Sequence, residues 1–222
     1  MKLIQLQLAW FFTSPQYPEY ETISSTIRSR VDVGFMSPPM ILPIPPSAPA
    51  EIPRLQMTTE DGAYRFSMAP IRADIFSTAT AEQLSESDIK LFRSFAVKAS
   101  DALLASMIKV SRLGVVARMI QETSEASKII QNAFLKDASR NIKELSLKIV
   151  ERHTVDGILY NNSWQYDEGI KMPEDVRILI VTRDINTAPE APIDMTAAVI
   201  EKILDFIIPQ LSEDGISKCL EA

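Results

Sequence analysis

The sequence predicts an α+β protein: antiparallel sheet built from two pseudo-repeated β-α-β-β-β-α units, each long helix packed on a sheet face. Three observations lead there. Several stretches alternate apolar and polar residues, the pattern of a strand with one wet and one buried face. Two longer stretches carry apolar residues at helical spacing, the stripe of an amphipathic helix. Both halves run through the same order of elements, with Asp-Gly turns at 61–62 and 156–157 in matching places.

The first element is a strand, because Gln5 and Gln7 break the apolar N-terminus in strict alternation with Ile4, Leu6 and Leu8. The same alternation argues against a secretory signal, which needs an unbroken apolar core. Tyr20, Ile23, Ile27 and Val31 then recur at helical spacing and predict a short helix over 19–31. Seven of the 14 prolines fall between Pro38 and Pro53. Proline lacks a backbone donor and fixes φ, so no helix or central strand fits there. Met40, Ile41, Leu42 and Ile44 make the stretch apolar, so the expectation is an extended connector lying against the body. A polyproline peptide that docks onto a partner is the other reading.

Strands follow over 53–59, 63–69 and 71–77, the first two joined by the Asp61-Gly62 turn. Ser85-Glu86-Ser87-Asp88 supplies a cap and first-turn acids for a long helix running to about Ile108. Ile89, Phe92, Phe95, Ala96, Ala99 and Leu103 form its stripe. In the second half, strands are predicted over 111–122, 145–150, 158–166 and 176–182, with a short helix over 125–136. The last helix opens at Asp194 or Thr196 and ends or kinks at Pro209. The final strand of each half ends alike, Asp74-Ile75-Phe76-Ser77 against Asp184-Ile185-Asn186-Thr187. The units are therefore placed at 1–110, with its connector at 37–53, and at 111–222, within one globular body.

Composition bounds the function. The chain has 222 residues, 46% apolar and 23% charged, with net charge −6. That length buries a real core. The acidic balance argues against a strongly basic nucleic-acid-binding domain, so no nucleic acid is expected as a partner. A single cysteine, Cys219, excludes a disulfide framework within the chain. A single histidine, His153, excludes any site needing two imidazoles from one chain. No phosphate-cradling glycine loop or EF-hand pattern is present. No membrane span, no metal and no cofactor is expected, and a cytoplasmic location is the default.

The segment Pro53-Arg54-Leu55-Gln56-Met57-Thr58-Thr59-Glu60-Asp61-Gly62 resembles the early part of a sporadically distributed family of uncharacterised bacterial proteins of similar length. Tyr64–Met68, Pro70 and Ile71–Phe76 are similar to the strands that follow in that family. Arg112-Leu113-Gly114 with Arg118 resembles its central Arg-Gly-Arg strand, with a longer Gly-to-Arg spacing and without the usual aromatic. Asp184 before a terminal amphipathic helix resembles its ending. The resemblance implies no activity. Its patchy distribution implies an accessory role, such as a component of host–phage or toxin conflict.

No constellation in the sequence carries catalysis. His153 sits at a hairpin end, Cys219 lies in an acidic tail, and the acids at 86, 88, 213 and 214 cluster at helix ends. The candidate binding surface is the strand bearing Tyr160, Asn162, Trp164 and Tyr166, which share one face. An aromatic face with an amide suits a ligand or a protein partner; an ordinary sheet face covered by a helix is the alternative. Arg112, Arg118 and Arg183 are candidate anion contacts, provided that they converge. The first functional expectation is a non-enzymatic protein that binds a protein partner or itself. The second is a sensor that holds a small apolar ligand in a pocket between the two units. The third is an enzyme working with carboxylates alone.

Overall fold

Alternation at the N-terminus becomes strand β1 (Lys2–Phe12), which turns Leu6, Leu8 and Trp10 into the core. The computed structural model describes residues 1–135, 142–191 and 193–211. The first unit continues with α1 (Tyr20–Arg30), β2 (Met40–Ile41), β3 (Leu55–Thr58), β4 (Tyr64–Ala69), β5 (Arg72–Thr78) and α2 (Glu86–Ala105). The second comprises β6 (Val110–Glu122), α3 (Ala126–Phe134), β7 (Leu147–Val155), β8 (Ile158–Lys171), β9 (Val176–Thr187) and α4 (Ala197–Ile207), closed by a 3-10 turn at Ile208–Leu211.

All nine strands form one antiparallel sheet in the order β2-β3-β4-β5-β1-β6-β9-β8-β7. Strands β1 and β6 pair at its centre, and the two units run outward from them in the same order. The registers repeat as well. Leu8 pairs with Ile75 as Val115 pairs with Ile185, and Leu8 pairs with Val115 across the junction. Tyr64 faces Ser77 as Tyr160 faces Thr187, and Ser67 faces Asp74 as Ser163 faces Asp184. The matched Asp-Ile endings of β5 and β9 are thus matched in space. Among the described residues the first unit alone carries the extra strand, β2, which pairs Met40 and Ile41 with the outer edge of β3.

The four helices cover one face. Trp10 Nε1 donates to Ser100 Oγ of α2 at 2.9 Å. Tyr64 meets Phe95 of α2, Tyr160 meets Phe206 of α4, and Tyr166 meets Phe134 of α3. Arg93 of α2 binds Asp205 of α4 and ties the units together on this side. Helix α2 starts with a full capping box: Asp88 N–H donates to Ser85 Oγ, and Ser85 N–H donates to Asp88 Oδ2. The acids at this helix start therefore have a structural task.

The opposite face carries cross-strand rows of polar and aromatic side chains. Phe11 lies between the guanidinium groups of Arg72 and Arg112, at 5.3 and 4.7 Å from its ring centre. Arg65 stacks on Phe76 at 4.0 Å.

Several boundaries differ from the sequence reading. Strand β7 covers 147–155 instead of 145–150, and β8 and β9 run on to Lys171 and Thr187. Pairing extends them: β8 and β9 bond along twelve residue pairs, which overrides the polar composition of 167–171. The Asp-Gly turns also differ from each other. Asp156 and Gly157 both have positive φ, 51° and 79°, the tight two-residue turn that suits a hairpin. At the first turn only Gly62 does, and Thr59 and Asp61 side chains brace a longer loop. The connector lies against the body with its edge strand on β3 and Val33 and Phe35 just before it in the core, but it departs from the expected extended path at two turns, Pro45–Ala48 and Pro49–Ile52. Lys136, the acids at 213 and 214, and Cys219 lie outside the described residues.

Candidate functional site

Tyr160, Asn162, Trp164 and Tyr166 point to the same face of β8, as period two requires. That face is the helix side. Helices α3 and α4 cover it, and all four side chains are buried. It is an interior wall and not an exposed platform. The three arginines do not converge. Arg183, on β9 opposite Trp164, points to the helix side, while Arg112 and Arg118 project from β6 to the open face. Arg112 donates Nε–H to the Thr187 carbonyl at 3.2 Å. Arg118 has no partner among the described residues and lines a depression of about 570 Å3 at the junction of the units. Its walls include Ile4, Ile120 and the exposed ion pairs Lys2–Glu82 and Lys171–Glu122. Exposed pairs of this kind hold little fixed geometry.

Arg183 organises the interior cluster. Its guanidinium lies 4.2 Å from the Trp164 ring centre. Nε–H donates to Asn162 Oδ1 at 3.3 Å, Nη1 donates to the Gln210 carbonyl, and Nη2 donates to Gln210 Oε1 at 3.3 Å. The cation thus joins β8, β9 and the turn after α4. Beside it opens a cleft of about 510 Å3 between α4 and the β7–β8 hairpin. Tyr160, Asn162, Ile185 and Phe206 form its floor and wall, Gln210 one side, and Arg152 and His153 the rim. Burial, and after it the negative charge of Asp156, push the Tyr160 phenol up to about 12. The phenol stays a neutral donor at ordinary pH. Among the described residues no carboxylate lines the cleft; the exposed Arg152 at its rim pairs with Glu190 at 2.6 Å.

The first unit has a cleft at the equivalent place, about 500 Å3, lined by Tyr64, Thr59, Asp61 and Leu91. The positions behind it differ in kind. Where the second unit has Asn162, Trp164 and Arg183, the same registers in the first hold Phe66, Met68 and Ala73. Phe66 is fully buried in an apolar core, and Phe35 packs on Phe95 beside Tyr64. Both clefts carry polar rims, Asp32, Thr59 and Asp61 in the first, but the buried polar cluster behind the cleft belongs to the second unit. Sequence reasoning misses Gln210 and Phe206, because a helical stripe containing Phe206 reads as core. The comparison of the two halves position by position is the signal that singles out Asn162 and Arg183.

Fold and cleft define an α+β protein of two like units, one of which backs its cleft with a buried polar cluster. No family model matches the chain, and no curated protein matches it. Among solved structures it aligns with the di-domain ARO/CYC StfQ from the steffimycin biosynthetic pathway, over 97% of each chain at 7% identity. The TM-score is 0.25, below what a shared fold requires. Among the described residues no helix is long and apolar enough to cross a membrane.

Proposed function

We propose that the chain binds a small molecule in the cleft between α4 and the β7–β8 hairpin of the second unit. One observation carries this reading: two units with the same register differ at the three positions behind the cleft, and the second unit places Asn162, Trp164 and Arg183 where the first has a plain apolar core. Burying a guanidinium and an amide is costly unless they are hydrogen bonded. A polar cluster of this kind is not needed to hold the fold, since the first unit folds the same elements without it. The lining suits a compact ligand with an apolar body, lying against Ile185 and Phe206, and an acceptor group facing Tyr160 and the Arg152 guanidinium at the rim.

Native mass spectrometry of the freshly purified chain tests it, read against the denatured mass. The expected result is excess mass that is lost on denaturation and absent from Asn162→Leu. A bare chain, unchanged in both proteins and unaltered by a metabolite-extract incubation, refutes the proposal.

The partner-binding reading also has an observation in its favour. The outer edge of β7 runs nine residues, and among the described residues no strand pairs with it. Val150 on that strand is 56% exposed. Edge strands of this length are templates for strand addition. A clean multiple of 24.8 kDa in the same spectra supports self-association. Membership of the sporadically distributed bacterial family, and with it an accessory cytoplasmic role, fits either reading.

A further inference from the structure

Arg54, in the motif that opens β3, is 3% exposed. Its Nη1 donates to the Ile44 carbonyl at 2.6 Å and the Pro45 carbonyl at 3.3 Å, which pins the proline-rich connector to the sheet. Its other two nitrogens, Nε and Nη2, are buried and have no partner. The Tyr20 hydroxyl is buried without a partner too, and the Arg54 charge reaches it. The ring of Tyr17 covers the guanidinium at 5.4 Å from its centre and is itself 53% exposed.

Pinning two carbonyls requires one nitrogen. It leaves a full positive charge inside the protein, and no ion pair balances that charge among the described residues. Buried charges are ordinarily paired. The idle nitrogens are the two whose N–H bonds run parallel along one edge of the guanidinium. That edge matches the two oxygens of a carboxylate. Native proteins leave few buried donors unmet, and two on one guanidinium, with a third on a tyrosine that its charge reaches, call for an occupant.

We propose that the Nε/Nη2 edge of Arg54, together with the Tyr20 hydroxyl, is a carboxylate-binding site that opens by displacement of Tyr17. The ligand is a small carboxylic acid or the carboxylate of a peptide. The site lies in the first unit, apart from the cleft of the second, and stands independently of it.

Acetate titration of the full chain labelled with 15N-arginine tests the proposal, with chloride at matched ionic strength as the control. One arginine Nε–H resonance is expected to move saturably with acetate. It is missing from Arg54→Lys, and the affinity falls several-fold in Tyr20→Phe. If Arg54→Lys does not fold, Tyr20→Phe keeps the guanidinium and carries the test alone. A tripeptide and its C-terminal amide separate the sources. Tighter binding of the free-acid peptide than of acetate assigns a peptide ligand, and equal or weaker binding assigns a small acid. No movement beyond the chloride control, with acetate or with the peptide, overturns the proposal and leaves ordered water as the occupant.

Discussion

Ser100→Ala isolates one buried hydrogen bond at the centre of the helix face. Trp10 is fully buried, and its indole N–H has Ser100 Oγ as acceptor at 2.9 Å. Ser100 Oγ in turn donates to the Ala96 carbonyl at 2.7 Å. Alanine removes the acceptor and leaves the indole donor stranded, which costs about 1–3 kcal/mol. Ser100 sits inside α2, so alanine also recovers roughly 0.5 kcal/mol of helix propensity. The net expectation is a loss of about 0.5–2.5 kcal/mol, or roughly 1–10 °C in Tm for a chain of this size. The same substitution made in Trp10→Phe strands nothing, because the indole N–H is gone. There it is expected to be neutral or slightly stabilising. Trp10→Phe has its own cost from the space it vacates, and a double-mutant cycle in urea subtracts it. A coupling of about 1–3 kcal/mol is expected, because the propensity gain is common to both backgrounds and cancels. Equal losses from Ser100→Ala in both backgrounds would refute the reasoning and show that the bond contributes nothing net.

Gly157 has φ of 79° in a tight turn with no atom near the place of a Cβ. Gly157→Ala therefore costs backbone strain alone, about 1–2 kcal/mol by urea denaturation, and a neutral result would contradict the left-handed turn. The Tyr160 phenol titrates near 12 in the folded chain against about 10 unfolded. The unfolded chain then sheds this proton first, so the contribution is full below about pH 10 and is lost as pH rises to about 12. Tyr160→Phe is expected to flatten that part of the stability profile, and an unchanged slope would count against the burial argument.

Much of the architecture is legible in the sequence. Alternation fixes which residues of a strand share a face, whatever the strand packs against, so spacing alone groups Tyr160, Asn162, Trp164 and Tyr166 correctly. The Ser85–Asp88 capping box and the Asp156-Gly157 turn are local, and short-range chemistry suffices to place them. The paired Asp-Ile endings even align the two halves in the right register. What alternation leaves open is which face is covered, since that depends on helices distant in the chain. The face bearing Tyr160 is interior because α3 and α4 pack on it. Arg183 and Arg112 lie on opposite sides because the register of β6 on β9 puts Arg118 opposite Thr182 and Ala117 opposite Arg183.

The sequence by itself determined the secondary elements, the duplicated order and the alternating faces, because each follows from local backbone preference and spacing. Only the tertiary structure decided that both units share one nine-stranded sheet, that a buried polar cluster lies behind the cleft of the second unit where the first has an apolar core, and that Arg54 is buried with an idle edge. Those depend on long-range register and packing, where residues up to about a hundred positions apart meet, as Trp10 and Ser100 do.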